Sequence, residues 1–260
     1  MGQLSSKPTT VLVVGATGSV GQYAVAESIA QGYTTRALVR SGSSTSRIAK
    51  GAQIVVGDLT KAETLTDALA DVDAVVFTHG ASYGDAGASE AVDYGAVKNV
   101  LQALDGRKVR IALMSSIGVT VTGGTHDWKR RGERLVRASG NSYTIVRPGW
   151  FDYNADDQLA ITLLQGDTRR AGSPADGVIA RHQIARVLID SLSAPQSQRL
   201  TVELVAEYGP APEDLGPIFA ALDQDLASSV DGIRDPENMP LSKESASVRQ
   251  DLERIQGHVA

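Results

Sequence analysis

Thr9–Tyr33, TTVLVVGATGSVGQYAVAESIAQGY, is the stretch that decides the fold. A short β-branched apolar run ends at Gly15, and apolar residues then recur at helical spacing through Val20, Ala24, Val25 and Ile29 as far as Gly32. The pattern reads strand, tight turn, helix. Gly15-Ala16-Thr17-Gly18-Ser19-Val20-Gly21 in the turn spells G-x-x-G-x-x-G. Gly15 permits the sharp turn, Gly18 leaves room for a pyrophosphate, and Gly21 lets helix and strand pack closely. The helix start, with Thr17, Ser19 and Val20, offers N–H donors and positive potential to an anion. A glycine pattern alone is weak evidence, but in this strand-to-helix context it points to a bound dinucleotide.

The same grammar continues outward. Strand-like runs follow at Thr34–Val39, Ala52–Val56, Asp73–Phe77, Val109–Met114, Tyr143–Val146 and Leu200–Val205. Helix-like segments lie between most of them: AETLTDALA, AVDYGAVKNVLQAL, WKRRGERLVRA and RHQIARVLIDSL. Strands apolar on both faces, alternating with helices, predict a doubly wound α/β fold, a parallel sheet of the Rossmann type covered on both sides. Residues 1–8 are expected to be a disordered N-terminus, although MGQLSS matches the short myristoylation pattern, as many sequences do by chance. Residues 9–204 are expected to form the nucleotide-binding domain, with a short substrate-facing insert at 150–178. Residues 205–260 change to Pro/Gly-punctuated pieces, EDLGPIFAALDQDLA and KESASVRQDLERI, and read as a helical extension packed on the core or on a second subunit.

Charge sharpens that division. The 260-residue chain carries a net −5, but the residues from Val205 onward carry −7 and those before it +2. An acidic chain is a poor general nucleic-acid binder, because phosphate contact needs a basic footprint. KRRGERLVR is therefore read as a helix face, with Arg130, Arg131, Arg134 and Arg137 facing solvent. The absence of cysteine excludes disulfides, thiolate metal sites and a Cys nucleophile, and no metal site is expected. No apolar run approaches a membrane span, so no membrane partner is expected and the protein is read as cytoplasmic, a monomer or homodimer acting on a small molecule.

The choice of dinucleotide is legible in the second strand. An NAD site places a carboxylate after this strand to hold the ribose 2′-OH, whereas a 2′-phosphate needs cations. Between Glu27 and Asp58 there is no acidic residue, while Arg36, Arg40, Arg47 and Lys50 fall there, Arg40 directly after RALV. Lys50 is taken as plain surface charge. Arg40 and Arg47, with Ser41, Ser43 and Ser44 beside them, favour NADPH over NADH.

VLVVGATGSVGQ, VVGDLT, VVFTHG, ALMSSIGV and SYTIVRPGWF, in this order and at these separations, resemble the atypical and extended short-chain dehydrogenase/reductases, particularly the NmrA-like, flavin-reductase-like NAD(P)H-binding branch. The resemblance covers about the first 205 residues. It implies that Asp58 and Leu59 contact the adenine and that Thr78, His79 and Gly80 line the cofactor. Ser115 and Ser116 would occupy the catalytic serine position, and Pro148, Gly149, Trp150 and Phe151 would face the nicotinamide. Independently, all of these fall at carboxyl ends of expected strands, where open α/β sheets bind ligands.

The family's Tyr-x-x-x-Lys pair would fall in THDWKRRGE. Lys129 matches the lysine, but Thr125 stands at the tyrosine position, and an aliphatic hydroxyl is far too weak an acid to replace a phenol. His126 shares a helix face with Lys129 and titrates in the right range to act as a substitute acid, or is simply an exposed residue at the helix start. Asp127 reads as an N-cap or first-turn charge. Tyr83, Tyr94 and Tyr153 are further candidate donors. A quinone, flavin or other electron-poor ring needs a dedicated acid less than a carbonyl does, and Trp150, Phe151 and Tyr153 can stack on such a ring. Two functions therefore stay open: an NADPH-dependent oxidoreductase for a small planar acceptor, and a non-catalytic NADP-binding sensor or regulator.

Overall fold

The computed structural model describes residues 7–81 and 85–257. Its elements run β1 (Thr10–Val14), α1 (Gly21–Ala30), β2 (Thr34–Val39), β3 (Gln53–Val56), α2 (Thr66–Leu69), β4 (Ala74–Phe77), α3 (Ala86–Ala88), α4 (Gly95–Leu104), β5 (Arg110–Met114), α5 (His126–Ala138) and β6 (Ser142–Pro148). They continue as β7 (Trp150–Phe151), β8 (Ala160–Leu164), β9 (Val178–Ile179), α6 (Arg181–Asp190), β10 (Leu200–Glu207), α7 (Gly216–Ala220) and α8 (Ala246–Gly257). A π-helical segment, Ser89–Tyr94, leads into α4.

The eight-stranded sheet has the order β3-β2-β1-β4-β5-β6-β10-β8, parallel except for β8. The order reverses at β1, the switch point of a doubly wound sheet, where a crevice opens beyond the strand ends. Alternation along the strands supplies two cores. Val11 and Val13 face one side, packed with α1 and α6 residues such as Ala24, Val25, Ile184 and Leu188. Leu12 and Val14 face the other, packed with Val97, Val100, Leu135, Val136 and, from α8, Val248 and Leu252.

Several expectations need correction. Lys7 and Pro8 are held in place, Lys7 donating to the Gln31 carbonyl and Pro8 being buried; the rest of the expected N-terminal tail lies outside the described residues. Residues 160–164 of the supposed insert form β8, the antiparallel edge of the main sheet, because alternating Ile161 and Leu163 bury against it. The last strand continues through Glu207, past the expected boundary at 204. EDLGPIFAALDQDLA is helical only over Gly216–Ala220, and most of residues 221–240 is an irregular strap.

The largest correction concerns α5. Arg130, Arg134 and Arg137 are buried, not solvent-facing, and Arg131 is only partly exposed. Arg130 donates to Asp231, Asn238 and the Pro236 carbonyl. Arg134 donates to Asp231, Glu244 and the Met239 carbonyl, and Arg131 pairs with Glu244 at 2.8 Å. Arg137 reaches Glu133, Asp225 and Thr201. The acidic extension is thus the counter-charge of a basic helix in the same chain. Arg147, next to the last residue of β6, is fully buried and clamps Glu133 and Asp235 together. Burial alone would raise Glu133, but the Arg147 and Arg137 guanidiniums override it and hold this carboxyl at about 2.

Candidate functional site

The phosphate loop begins where β1 ends. Gly15 has φ +81° and passes so close to β4 that a Cβ would stand 2.7 Å from the His79 nitrogen. A Cβ on Gly21 would lie 2.0 Å from the Gly15 carbonyl oxygen, which is why α1 can start directly beneath the turn. The Gly18 N–H donates back to Gly15 at 2.9 Å, and Gly18 and Ser19 are exposed at the crevice, with Thr17 half-buried. Val20 is buried and anchors the helix start in the core. A backbone this closely approached, stripped of side chains at three points and ending in a helix N-terminus, fits a pyrophosphate.

Arg40 leaves the end of β2 and is exposed, as is Arg47 in the loop beyond. Asp58, after β3, is occupied locally: its carboxylate accepts the Thr60 N–H and hydroxyl, which hold it below the ordinary carboxylate range, with Lys61 and Arg40 adding to the effect. Leu59 packs on the core edge, and its carbonyl takes the Asn99 side-chain amide at 2.7 Å. Lys61 is a cation near Asp58 that the sequence reading passed over.

At the other end of the crevice, Thr78 is tied to β1 through its hydroxyl and the Val14 carbonyl. His79 is buried against Phe77, and its Nδ1 has no partner. Burial and the Lys129 charge push its pKa down to about 4, so the ring is neutral near pH 7. Lys129 Nζ donates to Asp93 Oδ1 at 2.8 Å, and the same oxygen accepts the Ala81 N–H at 3.0 Å. Gly80 runs close to this pair, since a Cβ there would touch Nζ at 3.6 Å and Asp93 Oδ1 at 3.9 Å. His79, Asp93, Met114, Ser115 and Lys129 line one recess. Asp93 escaped the sequence reading; its signal was a carboxylate inside the apolar run AVDYGAV, where the π-helical segment presents it to α5.

Ser115 is buried, and its hydroxyl has no hydrogen-bond partner among the described residues. Ser116 is half-buried and donates to the Ile117 carbonyl. His126 is the first residue of α5; burial and the nearby Lys129 charge lower its pKa. Asp127 accepts the Gly123 N–H in the first turn. Pro148 and Gly149 bind Ile117 and Leu204 through the backbone, bringing the ends of β5, β6 and β10 together. Trp150 and Phe151 form β7, paired with β9. Trp150 packs edge-on against the exposed Tyr153, and the Arg181 guanidinium covers Phe151.

Tyr94 is removed from the list of proton donors. Its ring is buried and its hydroxyl donates to Asp251 of α8 at 2.9 Å, away from the recess. Tyr83 lies outside the described residues. No cluster of metal-ligating side chains occurs among the described residues, and no helix there is long and apolar enough to cross a membrane.

Comparison with known proteins agrees with this geometry. A family model described as NAD(P)H-binding matches residues 15–195. Protein TIC 62, chloroplastic, of Arabidopsis thaliana is 29% identical over 239 residues, covering 78% of this chain and 36% of that protein. The chain thus spans only about a third of that relative's length. Sanguinarine reductase of Eschscholzia californica is 25% identical over 259 residues, covering 82% of this chain and 93% of the reductase. A Bacillus halodurans structure, provisionally named an NAD-dependent epimerase/dehydratase, superposes with a TM-score of 0.68 at 26% identity, covering 82% of this chain and all of that one.

Proposed function

The chain belongs to the NAD(P)H-binding family, and on that premise we propose that it is an NADPH-dependent oxidoreductase of the atypical short-chain dehydrogenase/reductase type, acting on a small planar acceptor. The observation that carries the reading is the charge at the end of β2. Arg40 stands there with no acidic residue between Glu27 and Asp58, and Asp58, which accepts Thr60 on one oxygen, lies one strand further on, after β3. A ribose 2′-OH finds no carboxylate at the end of β2, whereas a 2′-phosphate finds cations. The likeness to a reductase over nearly the whole of its length supports redox chemistry.

NADPH, when bound, supplies the hydride. Gly15–Gly21 would hold its pyrophosphate, Arg40 and Arg47 the 2′-phosphate, and Lys129, His79 and Gly80 its nicotinamide half. Lys129 spends one ammonium proton on Asp93 and keeps others for ligand hydroxyls. His79, neutral and with Nδ1 open, serves as an acceptor. Proton delivery is the weak point: position 125 is threonine, and at His126 burial and the Lys129 charge outweigh the Asp93, Asp167 and Asp127 carboxylates and favour the neutral ring, a poor acid near pH 7. This favours acceptors that need no dedicated acid, a quinone or flavin before a carbonyl, with Trp150 and Tyr153 offering stacking faces.

NADPH is expected to raise the melting temperature more than NADH at equal concentration, and Arg40→Glu to abolish or reverse the difference; equal stabilisation by both refutes the preference. The missing phenol favours a second reading, a non-catalytic NADP-binding regulator. Tight NADPH binding with no turnover of quinones, flavins or aldehydes would select it.

A further inference from the structure

Sheet order divides the crevice into two halves. The phosphate loop leaves β1 and Arg40 leaves β2, so a dinucleotide laid from Arg40 to Lys129 covers the ends of β2, β1, β4 and β5. The carboxyl ends of β6 and β10, with the start of the antiparallel β8, are left for the second reactant. The loop from Ser116 to the start of α5 runs along this boundary. Its Ile117 N–H is tied to Pro148 at 3.1 Å, and Val121 is half exposed at its tip.

This loop is held from outside by residues distant in sequence. Asp167, just past β8 and fully buried, accepts the Gly118 N–H and the Thr120 N–H, each at 2.7 Å. Arg170 donates to the Thr120 hydroxyl at 3.1 Å and to the Asp167 carbonyl at 3.0 Å. On the other side, Asn238 of the strap donates to the Thr120 carbonyl at 2.9 Å, while its own carbonyl takes Arg130, the neighbour of Lys129, at 2.6 Å. A buried carboxylate spending both oxygens on two backbone N–H groups of one short loop makes strong, charge-assisted bonds at a large desolvation cost. That arrangement fixes a shape.

We infer that Asp167 is a positioning residue for the second reactant: it moulds Gly118–Thr120 into the wall against which a planar acceptor lies, and Asn238 of the acidic segment braces the same wall. The inference rests on the oxidoreductase reading. It gives the supposed insert and the C-terminal strap a shared role at the acceptor half, with none at the dinucleotide half.

The test uses the full chain with Asp167→Asn, which keeps the shape but can offer only one acceptor oxygen, and Asn238→Asp, which keeps the acceptor for Arg130 and removes the donor to Thr120. NADPH affinity is measured by titration. Acceptor KM and kcat are measured for menadione, riboflavin and an aromatic aldehyde, with melting temperature as the control for folding. Each folded variant should raise acceptor KM about tenfold or change the order of preference among acceptors, with NADPH affinity altered less than about twofold. Should Asp167→Asn not fold, Asn238→Asp decides alone. Unchanged acceptor kinetics, or an equal loss of NADPH affinity, overturns the inference and leaves the oxidoreductase reading standing. If the wild type turns over none of the panel, the oxidoreductase reading falls, and binding of menadione to the NADP+-loaded protein decides the wall. Binding weakened about tenfold by Asn238→Asp supports it; no binding, or unweakened binding, overturns it.

Discussion

Glu203 faces Arg147 across the β6–β10 ladder, yet that guanidinium is already bidentate to Glu133 and Asp235. Burial therefore raises Glu203 from an ordinary 4.5 to about 7, Arg147 opposing the shift and the Asp167 and Asp235 charges adding to it. The unfolded chain releases this proton near 4.5 and the folded protein near 7, so stability falls as pH rises through that window and stays reduced above it. Glu203→Gln should gain up to about 3 kcal/mol over wild type at pH 8 and little at pH 4.5, by urea denaturation. Glu133 works oppositely: its depressed carboxyl gives stability above the ordinary range that is lost as pH falls toward about 2. Asp93 is the other decisive single residue. Asp93→Asn keeps an acceptor for the Ala81 N–H but removes the charge opposite Lys129. It is expected to weaken NADPH about tenfold with little change in melting temperature, and in Lys129→Met the same substitution should cost no more. Losses that multiply would show the two act separately.

At the scale of the element, α5 is where sequence and structure part. Its existence and its end at Ala138 were legible, its start falling two residues before the expected Trp128, as were β2 in full and β4, β5 and β6 to within two residues, because apolar periodicity is local. Its environment was not. Four arginines on an amphipathic helix look like a solvated face when their partners, Asp225, Asp231 and Glu244, lie about 90 to 110 residues further along the chain. The available signal lay elsewhere: Arg147 in TIVRP and Glu203 in TVELV are charges inside apolar strands, and such charges are rarely buried unless paired. Arg134→Ala leaves Glu244 to Arg131 and Asp231 to Arg130 and should cost about 3 kcal/mol in urea denaturation. Arg134→Met, filling the same space without charge, should recover only the packing part of that loss, since both carboxylates remain.

For the whole molecule, the first 205 residues carry the dinucleotide grammar and the remainder supplies its counter-charge. The strand–turn–helix at Gly15–Gly21 and the doubly wound sheet were readable because they depend on glycine spacing and strand alternation. The strap was not, because residues 221–240 have no periodicity and are placed by ion pairs to α5 and β6. Removing residues 209–260 would uncover Leu101 and Leu104 beside Ile255 of α8 and leave Arg130, Arg134, Arg137 and Arg147 short of partners. The truncated chain is expected to be insoluble or unfolded, not merely weaker in cofactor binding; a soluble product with an unshifted melting temperature would contradict this.

The same pairing bears on how such a protein can change over generations. A charge altered on α5 requires a matching alteration some hundred residues downstream, and because Arg134 serves both Asp231 and Glu244 while Asp231 serves both Arg130 and Arg134, no single reciprocal exchange restores the set. Helix and strap are therefore inherited as a block, and a chimera that borrows the tail of one relative should fold only if residues 126–147 are borrowed with it.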